Sequence, residues 1–369
     1  MKRQLSSLDL HFLVDELKIL KDSRIDKIYQ PEKSIIVFRL FKTNAGKKLL
    51  AINIGQSIYI SGGKEDYGEI LGFGMLLRKH LDGYFLDGIK QIKPERIINI
   101  TFRAKDSTKH LYIEFFGKGN AILCDENNSI INSFEHHEFK DRSIKPKIEY
   151  KHPSMKYNLF DLGKKDLIEL FKNSKKDSLV ISLATELGLG GLYSEEICLL
   201  SDNDKNNNPK TLNEKQTDNI FASIKKIINK KIEPYVVFEN DTVTDFMPFE
   251  LEFYRRNNKK KFSTFNETVQ YFYSQFKDIK ETESDKRLRT LQRIIQEQTQ
   301  SLEELKKEEK EAREKGELIY SKYNLVKEIL DEINKASKKH SWKEIKEKLR
   351  GHKIIKEVNE KERKIIIEV

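Results

Sequence analysis

A sustained heptad repeat near the end of the chain is the sequence feature that most constrains its fold. Between Leu288 and Ile333, eleven of the fourteen a and d positions are apolar, and the register never slips. This pattern predicts a left-handed coiled-coil arm over residues 276–340, with a seam on the order of 70 Å long at ~1.5 Å per residue. The three exceptions are Gln298, Glu309 and Gly316.

One arm cannot bury its own apolar stripe, so the heptad pattern requires a partner helix. The sequence continues for 36 residues after Ile333 and contains a strand-like segment at 364–369, but no second arm. We therefore expect that the chain is truncated or that the arm pairs with another molecule, and we favour truncation. Residues 341–369 would then be the start of a middle domain.

Length and composition predict several folded units. The chain has 369 residues, and single cores rarely grow much beyond about 250 residues. Its 37% hydrophobic residues, with 21 Phe and 14 Tyr, exclude a wholly disordered chain. The absence of a long apolar run or a signal-peptide pattern predicts a cytoplasmic protein with no membrane partner. Cys124 and Cys198 are too few for a disulfide framework or a four-cysteine zinc site, so we expect no metal and no cofactor.

Residues 1–175 predict an α+β lobe. Leucines at helical spacing predict a helix over 8–21, with Ser6 or Ser7 as its cap and Asp9 in its first turn. A second helix is predicted at 69–82. Strands are predicted at 34–42, 47–54, 57–60, 97–104, 110–116, 121–124 and 130–134.

Residues 176–232 form the middle of the chain. Their sequence predicts helices at 178–187, 193–200 and 213–230. Gly188, Gly190 and Gly191 lie between the first two helices, where a glycine hairpin exposes backbone amides that suit a phosphate. A helix-ending glycine followed by a tight turn explains the same glycines. Residues 233–275 are expected to return to the N-terminal domain.

The net charge of +10 is clumped, which suits contact with a phosphate backbone. A lysine-rich surface without any such partner explains the clumps equally well. The clumps are Lys145, Lys147, Lys151 and Lys156; Lys164, Lys165, Lys172, Lys175 and Lys176; and Arg255, Arg256, Lys259, Lys260 and Lys261.

Common catalytic patterns are missing from the sequence. No GxxxxGK[ST], HExxH, GxSxG or GxGxxG occurs. Cys198 lies on the apolar face of a short helix, where a core role is favoured over a nucleophile. The commonest phosphate-loop and hydrolase signatures are therefore missing.

Several stretches, taken in order, resemble the NFACT family of ribosome-quality-control tailing factors, whose bacterial members were labelled fibronectin-binding A-domain proteins. The stretches are SLDLHFLVDEL at 7–17, MLLRKHLDGYFLDGIKQIKPERIINITF at 75–102, EFFGKGNAILCDE at 114–126, ELGLGGLYSEEI at 186–197, FNETVQYFYSQF at 265–276 and the long helix that reaches Trp342. The resemblance implies a glycosylase-like N-terminal lobe, a helix-hairpin-helix segment, and a coiled coil that carries a small middle-domain fragment.

The resemblance also implies a function. Such proteins bind large ribosomal subunits obstructed by peptidyl-tRNA and recruit aminoacyl-tRNA for template-free C-terminal tailing. Because the ribosome makes the bonds, the resemblance implies an adaptor that is not an enzyme. The implied partners are therefore tRNA and the large subunit, and no DNA is expected.

The family's tRNA-recognition residues map to Asp9, Glu95 and Arg96, with glutamate in place of the usual aspartate at position 95. Arg78 and Lys79, with the glycine hairpin, are expected to contact RNA phosphates. Unpaired bases offer edges to carboxylates and Arg, and faces on which Arg stacks. The alternatives are a turn-end ion pair between Glu95 and Arg96 and a helix-end electrostatic role for Asp9.

Two other functions compete with this prediction. A DNA glycosylase could share the lobe-plus-hairpin architecture, but the chain begins with Met1 rather than a nucleophilic proline and lacks four cysteine ligands. A fibronectin-binding adhesin is suggested by the older family label, but no signal or anchor segment supports it.

Overall fold

The computed structural model describes residues 4–62, 72–139, 142–153, 155–275, 283–360 and 362–367. The chain divides into two compact units, Met1–Ile279 and Lys280–Val369. Met1, the predicted helix start at 69–71 and the predicted arm start at 276–282 lie outside the described residues. The finer division of the chain into five parts stays a prediction.

The first helix, α1 (Ser7–Leu17), forms as its sequence predicts. Ser6 caps it: the Ser6 hydroxyl accepts a hydrogen bond from the Asp9 N–H, and the Asp9 carboxylate accepts one from the Ser6 N–H. Leu10, Leu13 and Leu17 are fully buried, so one apolar face anchors the helix in the core.

A nine-stranded antiparallel sheet with the order β4-β3-β2-β1-β5-β6-β7-β8-β9 dominates the first unit. Its strands are β1 (Arg24–Glu32), β2 (Ile35–Lys42), β3 (Gly46–Asn53), β4 (Ser57–Ser61), β5 (Phe85–Gln91), β6 (Ile97–Ala104), β7 (Ser107–Glu114), β8 (Asn120–Cys124) and β9 (Ile130–Ser133). The predicted mixture of helices and antiparallel strands is confirmed.

Strands β1 and β5 join the two halves of this sheet through the single pair Arg24–Phe85. The two halves face each other, since Phe38 of β2 stacks on Phe102 of β6 with 5.6 Å between ring centroids. The main core of the unit therefore includes the inner surface of the sheet.

Six further helices complete the described part of the first unit, together with two small sheets. The helices are α2 (Gly72–Leu81), α3 (Lys164–Asn173), α4 (Leu179–Glu186), α5 (Gly191–Leu200), α6 (Glu214–Ile228) and α7 (Phe265–Ser274). The small sheets contain β10 (His137–Glu138), β11 (Ser143–Ile144), β12 (Tyr235–Glu239), β13 (Thr242–Met247) and β14 (Asn258–Lys261). Helix α7 is fixed to α1 because the Glu16 carboxylate accepts hydrogen bonds from the N–H groups of Phe265, at 2.9 Å, and Asn266, at 2.6 Å.

The second unit contains two helices where one long helix was predicted. These are α8 (Glu283–Ser321) and α9 (Tyr323–Ser337), followed by α10 (Trp342–Lys348), β15 (Ile355–Asn359) and β16 (Lys364–Ile367). At Lys322 the backbone leaves the helical region, with φ −110° and ψ 22°, so the predicted continuous helix is corrected to two helices.

In the last turn of the heptad pattern, which lies in α9, the a and d positions differ in burial. Leu330, an a position, is 48% exposed, whereas Ile329 and Ile333 are buried in a small core with Ile345 and Ile355. Local packing against α10 and β15 decides which face of α9 is buried.

The apolar seam of α8 is exposed where its side chains are described: Ile295, Leu302 and Leu305 are 53–61% exposed. Leu288, Leu291 and Ile319 lie outside the described side chains. Pairing of this seam into a coiled coil stays a prediction, as do the glycosylase-like lobe and the helix-hairpin-helix motif. None of the helices in the described ranges combines the length and apolar character needed to cross a bilayer.

Candidate nucleic-acid interface

Asp9 is internal. It has no exposed surface, and its Oδ2 accepts hydrogen bonds from the Ser6 N–H and hydroxyl, each at 2.7 Å. Its Oδ1 accepts a hydrogen bond from the Tyr193 hydroxyl at 2.7 Å. Because both carboxylate oxygens are bonded inside the protein, Asp9 does not contact RNA in this conformation. The prediction of a direct contact is corrected on that ground.

Glu95 and Arg96 lie in the turn between β5 and β6, which is fastened to the start of α1. Gln91 Nε2 donates hydrogen bonds to the Ser7 carbonyl, at 2.9 Å, and to the Glu95 carbonyl, at 3.0 Å. The Ser7 hydroxyl donates to the Pro94 carbonyl at 2.5 Å. These bonds hold the turn against the same helix end that contains Asp9.

Arg96 is a partly exposed cation beside the buried carboxylate of Asp9. Its Nη1 donates a hydrogen bond to Gln4 Oε1 at 3.2 Å. Burial lowers the pKa of Arg96, and the negative charges of Glu95 and Asp9 raise it again. A guanidinium stays protonated in proteins, so Arg96 presents a positive, planar group with donors for a phosphate or a base.

Glu95 is a half-buried carboxylate with hydrogen-bonding capacity to spare. Burial raises its pKa, and His152, the Met155 N–H, Arg142 and Arg96 oppose that rise in descending order. Its Oε1 atom is buried and has no hydrogen-bond partner. The surrounding protein covers this atom, so a ligand N–H group that bonds Glu95 must reach its other carboxylate oxygen.

The predicted glycine hairpin is present between α4 and α5. Gly188 and Gly190 have φ of 68° and 75°, a left-handed conformation that glycine adopts most easily. The Gly190 N–H donates to the Ala184 carbonyl at 3.2 Å, and α5 starts at Gly191. Thus Gly190 closes the turn with its N–H and at the same time forms the N-cap of α5.

Two contacts bring this hairpin to the Glu95–Arg96 turn. The Met155 side chain packs against Gly188, where an added Cβ would lie 2.9 Å from Met155 Sδ. The Met155 N–H bonds Glu95, while Tyr193, near the start of α5, bonds Asp9. The structure therefore brings Asp9, Glu95, Arg96 and the glycine hairpin into one cluster.

Sequence reasoning missed the residues that connect this cluster. They are Gln4, Gln91, Met155 and Tyr193. The only signal for Tyr193 was its place just after the glycines, because its partner is 184 residues away in sequence.

Arg78 and Lys79 lie on α2, outside the cluster around Asp9. Both are exposed on α2, and Arg78 Nε donates to the Ile28 carbonyl at 2.7 Å while its guanidinium lies 5.9 Å from the Tyr29 ring centroid. These contacts tie Arg78 to β1 and not to the cluster around Asp9. Their predicted phosphate contacts remain predictions.

Part of the clumped positive charge is neutralised by neighbouring carboxylates. Lys145 pairs with Glu138 at 2.7 Å and Lys156 with Glu169 at 3.0 Å. Lys261 pairs with Glu250 at 3.3 Å. Such exposed pairs are weak, so they leave these lysines able to exchange partners.

Both cysteines have the properties of structural residues. Cys124 and Cys198 are buried, and burial raises their thiol pKa values to about 12 and about 11. A protonated thiol is a poor nucleophile, and the predicted core position of Cys198 is confirmed. Among the described residues, no three His, Cys, Asp or Glu side chains are grouped so that they could hold a metal ion.

Comparison with known proteins adds a family and a fold. A family model described as the NFACT N-terminal and middle domains matches residues 6–364. The archaeal Rqc2 homolog aRqcH of Methanocaldococcus jannaschii is 29% identical, over 100% of this chain and 58% of that protein. The ribosome quality control complex subunit NEMF homolog of Drosophila melanogaster is 24% identical, over 97% of this chain and 42% of that protein. The chain thus spans about half the length of the curated relatives it matches.

A solved structure shares the fold. The crystal structure of the fibrinogen binding protein from Staphylococcus aureus covers 73% of this chain and 98% of its own chain, with a TM-score of 0.59. Since the two sequences are 22% identical, this likeness shows a common fold and nothing about shared ligands.

Proposed function

This chain belongs to the NFACT family, and we propose that it acts in ribosome-associated quality control as an RNA-binding adaptor and not as an enzyme. The curated relatives described above are an Rqc2 homolog and a ribosome quality control complex subunit homolog, which supports this role. In the proposed role the protein binds obstructed large ribosomal subunits that carry peptidyl-tRNA. It recruits aminoacyl-tRNA for template-free C-terminal tailing in the cytoplasm.

The convergence of the Glu95–Arg96 turn and the glycine hairpin is the observation that carries this proposal. Both segments are fastened to the start of α1, by Gln91 and Ser7 on one side and by Tyr193 on the other. A tRNA loop offers phosphates and unpaired bases within a short distance, so a site for it needs both kinds of contact.

Each member of the cluster has a distinct part in the proposal. Arg96 binds a phosphate or stacks on a base, and the exposed part of the Glu95 carboxylate accepts a hydrogen bond from a base N–H. The start of α5, at Gly190 and Gly191, favours a phosphate because of its helix dipole. Asp9 touches no RNA, and instead its charge and its bond to Tyr193 position Arg96 and the hairpin.

The proposal is tested by titrating the whole chain with bulk tRNA and with the Arg96→Ala and Arg96→Lys variants. We expect log K to fall steeply with log salt for the wild type, because phosphate contacts dominate. The Arg96→Ala variant should bind tRNA at least about 10-fold more weakly than the wild type. The Arg96→Lys variant should have an affinity between the two, because an ammonium cannot replace a planar guanidinium.

The matched control is Arg313→Ala, which removes a 76% exposed arginine from α8. Equal losses for Arg96→Ala and Arg313→Ala would show a general charge effect and would reject the assigned site. Wild-type protein that binds no tRNA in dilute buffer would reject the proposed function.

A further inference from the structure

Five side chains form a row across one end of the large sheet, at the opposite end of the β5–β6 hairpin from Arg96. In register, Lys47 pairs with Phe41, Phe41 with Arg24, Arg24 with Phe85, and Phe85 with Arg103. Directly paired residues of antiparallel strands point to the same face. The row therefore alternates cation and aromatic ring over five neighbouring strands.

This row faces away from the core. Phe41 is 46% exposed and Phe85 is 41% exposed, and the three cations are also exposed. Four of the five residues each have a chain neighbour that points the other way and is buried. Those neighbours are Ile25, Leu40, Leu86 and Phe102. Two phenylalanines on an open sheet surface are costly to expose to water, unless they have a partner.

Phe41 and Phe85 have no aromatic or cationic partner within the described residues. In the described part of the chain, neither Phe41 nor Phe85 stacks on another ring or lies beneath a cation, so aromatic or cation–π contacts within the protein do not account for them. Arg103 pairs with Asp87 at 3.3 Å, but both side chains are about half exposed, and such a pair is readily exchanged.

We propose that this row is a binding platform for single-stranded RNA. Exposed rings on adjacent strands of an antiparallel sheet stack on unpaired bases, and cations between the rings hold the phosphates. Phe41 and Phe85 lie two strands apart, roughly 10 Å, with Arg24 between them. The choice of RNA over DNA rests on the proposed function, whereas the choice of a single strand rests on the row itself.

The platform is separate from the cluster around Arg96. Strand β5 runs from Phe85 to Gln91, so the two sites are roughly 20 Å apart along one hairpin. Variants of one site should therefore leave the other intact.

The test measures binding of a fluorescein-labelled hexaadenylate RNA to the whole chain at low salt, by fluorescence anisotropy. We expect Phe41→Ala and Phe85→Ala each to weaken binding roughly 5- to 100-fold, since each removes a stacking face. Arg24→Ala should flatten the slope of log K against log salt by about 0.7, the value for one phosphate contact on a single strand.

The matched control is Phe253→Ala, because Phe253 is also 41% exposed but lies outside the sheet. Phe85→Leu separates stacking from general apolar contact, and it is also the milder change should alanine disturb folding. We expect the Phe85→Leu variant to bind RNA as weakly as Phe85→Ala, because leucine has no aromatic face. Leucine that preserves wild-type affinity for the hexamer would overturn base stacking as the basis of binding.

Three further results bear on the proposal. Wild-type affinity in Phe41→Ala and Phe85→Ala would overturn the platform, and equal binding of hexadeoxyadenylate would overturn the choice of RNA. Arg96→Ala should keep its affinity for the hexamer even while it loses tRNA. If the tRNA site assigned to Arg96 is wrong, binding of the hexamer is unaffected. The two experiments therefore test the tRNA site and the single-stranded RNA platform separately.

Discussion

The Tyr193 hydroxyl donates a 2.7 Å hydrogen bond to Asp9 Oδ1, across 184 residues of sequence. Both side chains are buried, and the bond joins the start of α1 to the start of α5. Burial and the nearby Asp9 charge raise the pKa of Tyr193 well above its usual value, so the hydroxyl remains a donor. The glycine hairpin and the Glu95–Arg96 turn are thereby fastened to the same helix end.

Replacing Tyr193 with Phe should destabilise the protein, because it removes a hydroxyl that donates a hydrogen bond to a buried carboxylate. We expect a loss of about 2 kcal/mol in the free energy of unfolding, typical of a hydrogen bond to a charged group. Denaturant unfolding followed by circular dichroism measures it. Tyr320→Phe is the control, since Tyr320 is 83% exposed; a similar loss in both variants would contradict the importance of the buried bond.

Replacing Gly188 with Ala should destabilise the hairpin. The left-handed backbone, at φ 68°, costs an L-residue roughly 1–2 kcal/mol, and the new methyl group would force Met155 to move. Because Met155 also bonds Glu95, we expect tRNA affinity to fall together with the melting temperature.

Gly316→Ala is the matched control for the hairpin variant. Gly316 lies inside α8 with nothing within 4 Å of an added Cβ. Alanine should stabilise that helix by about 0.5–1 kcal/mol. A Gly188→Ala variant that melts no lower than the wild type would show that the hairpin does not need its glycine.

Replacing Glu95 with Gln should change how stability depends on pH. Burial raises the pKa of Glu95 in the folded state, so the folded protein holds this proton more tightly than the unfolded chain. The fold therefore loses stability as pH rises from the ordinary glutamate pKa through the raised folded one. At neutral pH the Gln variant should melt higher than the wild type, and the difference should vanish at acidic pH.

Thermal melts at several pH values check this prediction, with Glu311→Gln on the exposed face of α8 as the control. A Glu95→Gln variant that melts lower than the wild type at neutral pH would mean that the surrounding cations, and not burial, dominate. Its tRNA affinity should fall in any case, because the amide is neutral.

The sequence correctly predicted the helices and strands that depend on neighbouring residues. Ser6 and Asp9 supply a capping box before a leucine stripe, and α1 follows from them. Strand β6 has the predicted bounds, 97–104, because its apolar residues are bounded by turns. Strands β1 and β5 were missed: β1 contains Pro31 and several charges, and β5 is interrupted by a bulge at Asp87.

Properties that depend on distant partners could not be predicted. An aspartate in a first helical turn is normally exposed, but here segments distant in sequence bury Asp9, and Tyr193 of α5 bonds it. The heptad register likewise carries no information about α10 and β15, which select Ile329 over Leu330 for burial. Sequence order predicted the residues of the candidate site but not which of them face solvent.

The most direct test of the central claim is to capture large ribosomal subunits from cells with the tagged whole chain and sequence the tRNA retained on them. Wild-type protein should enrich particular tRNA species, and Arg96→Ala should lose that enrichment while Arg313→Ala keeps it. Recovery of the same tRNA species by Arg96→Ala and wild type, or of no subunits by either, would contradict the account.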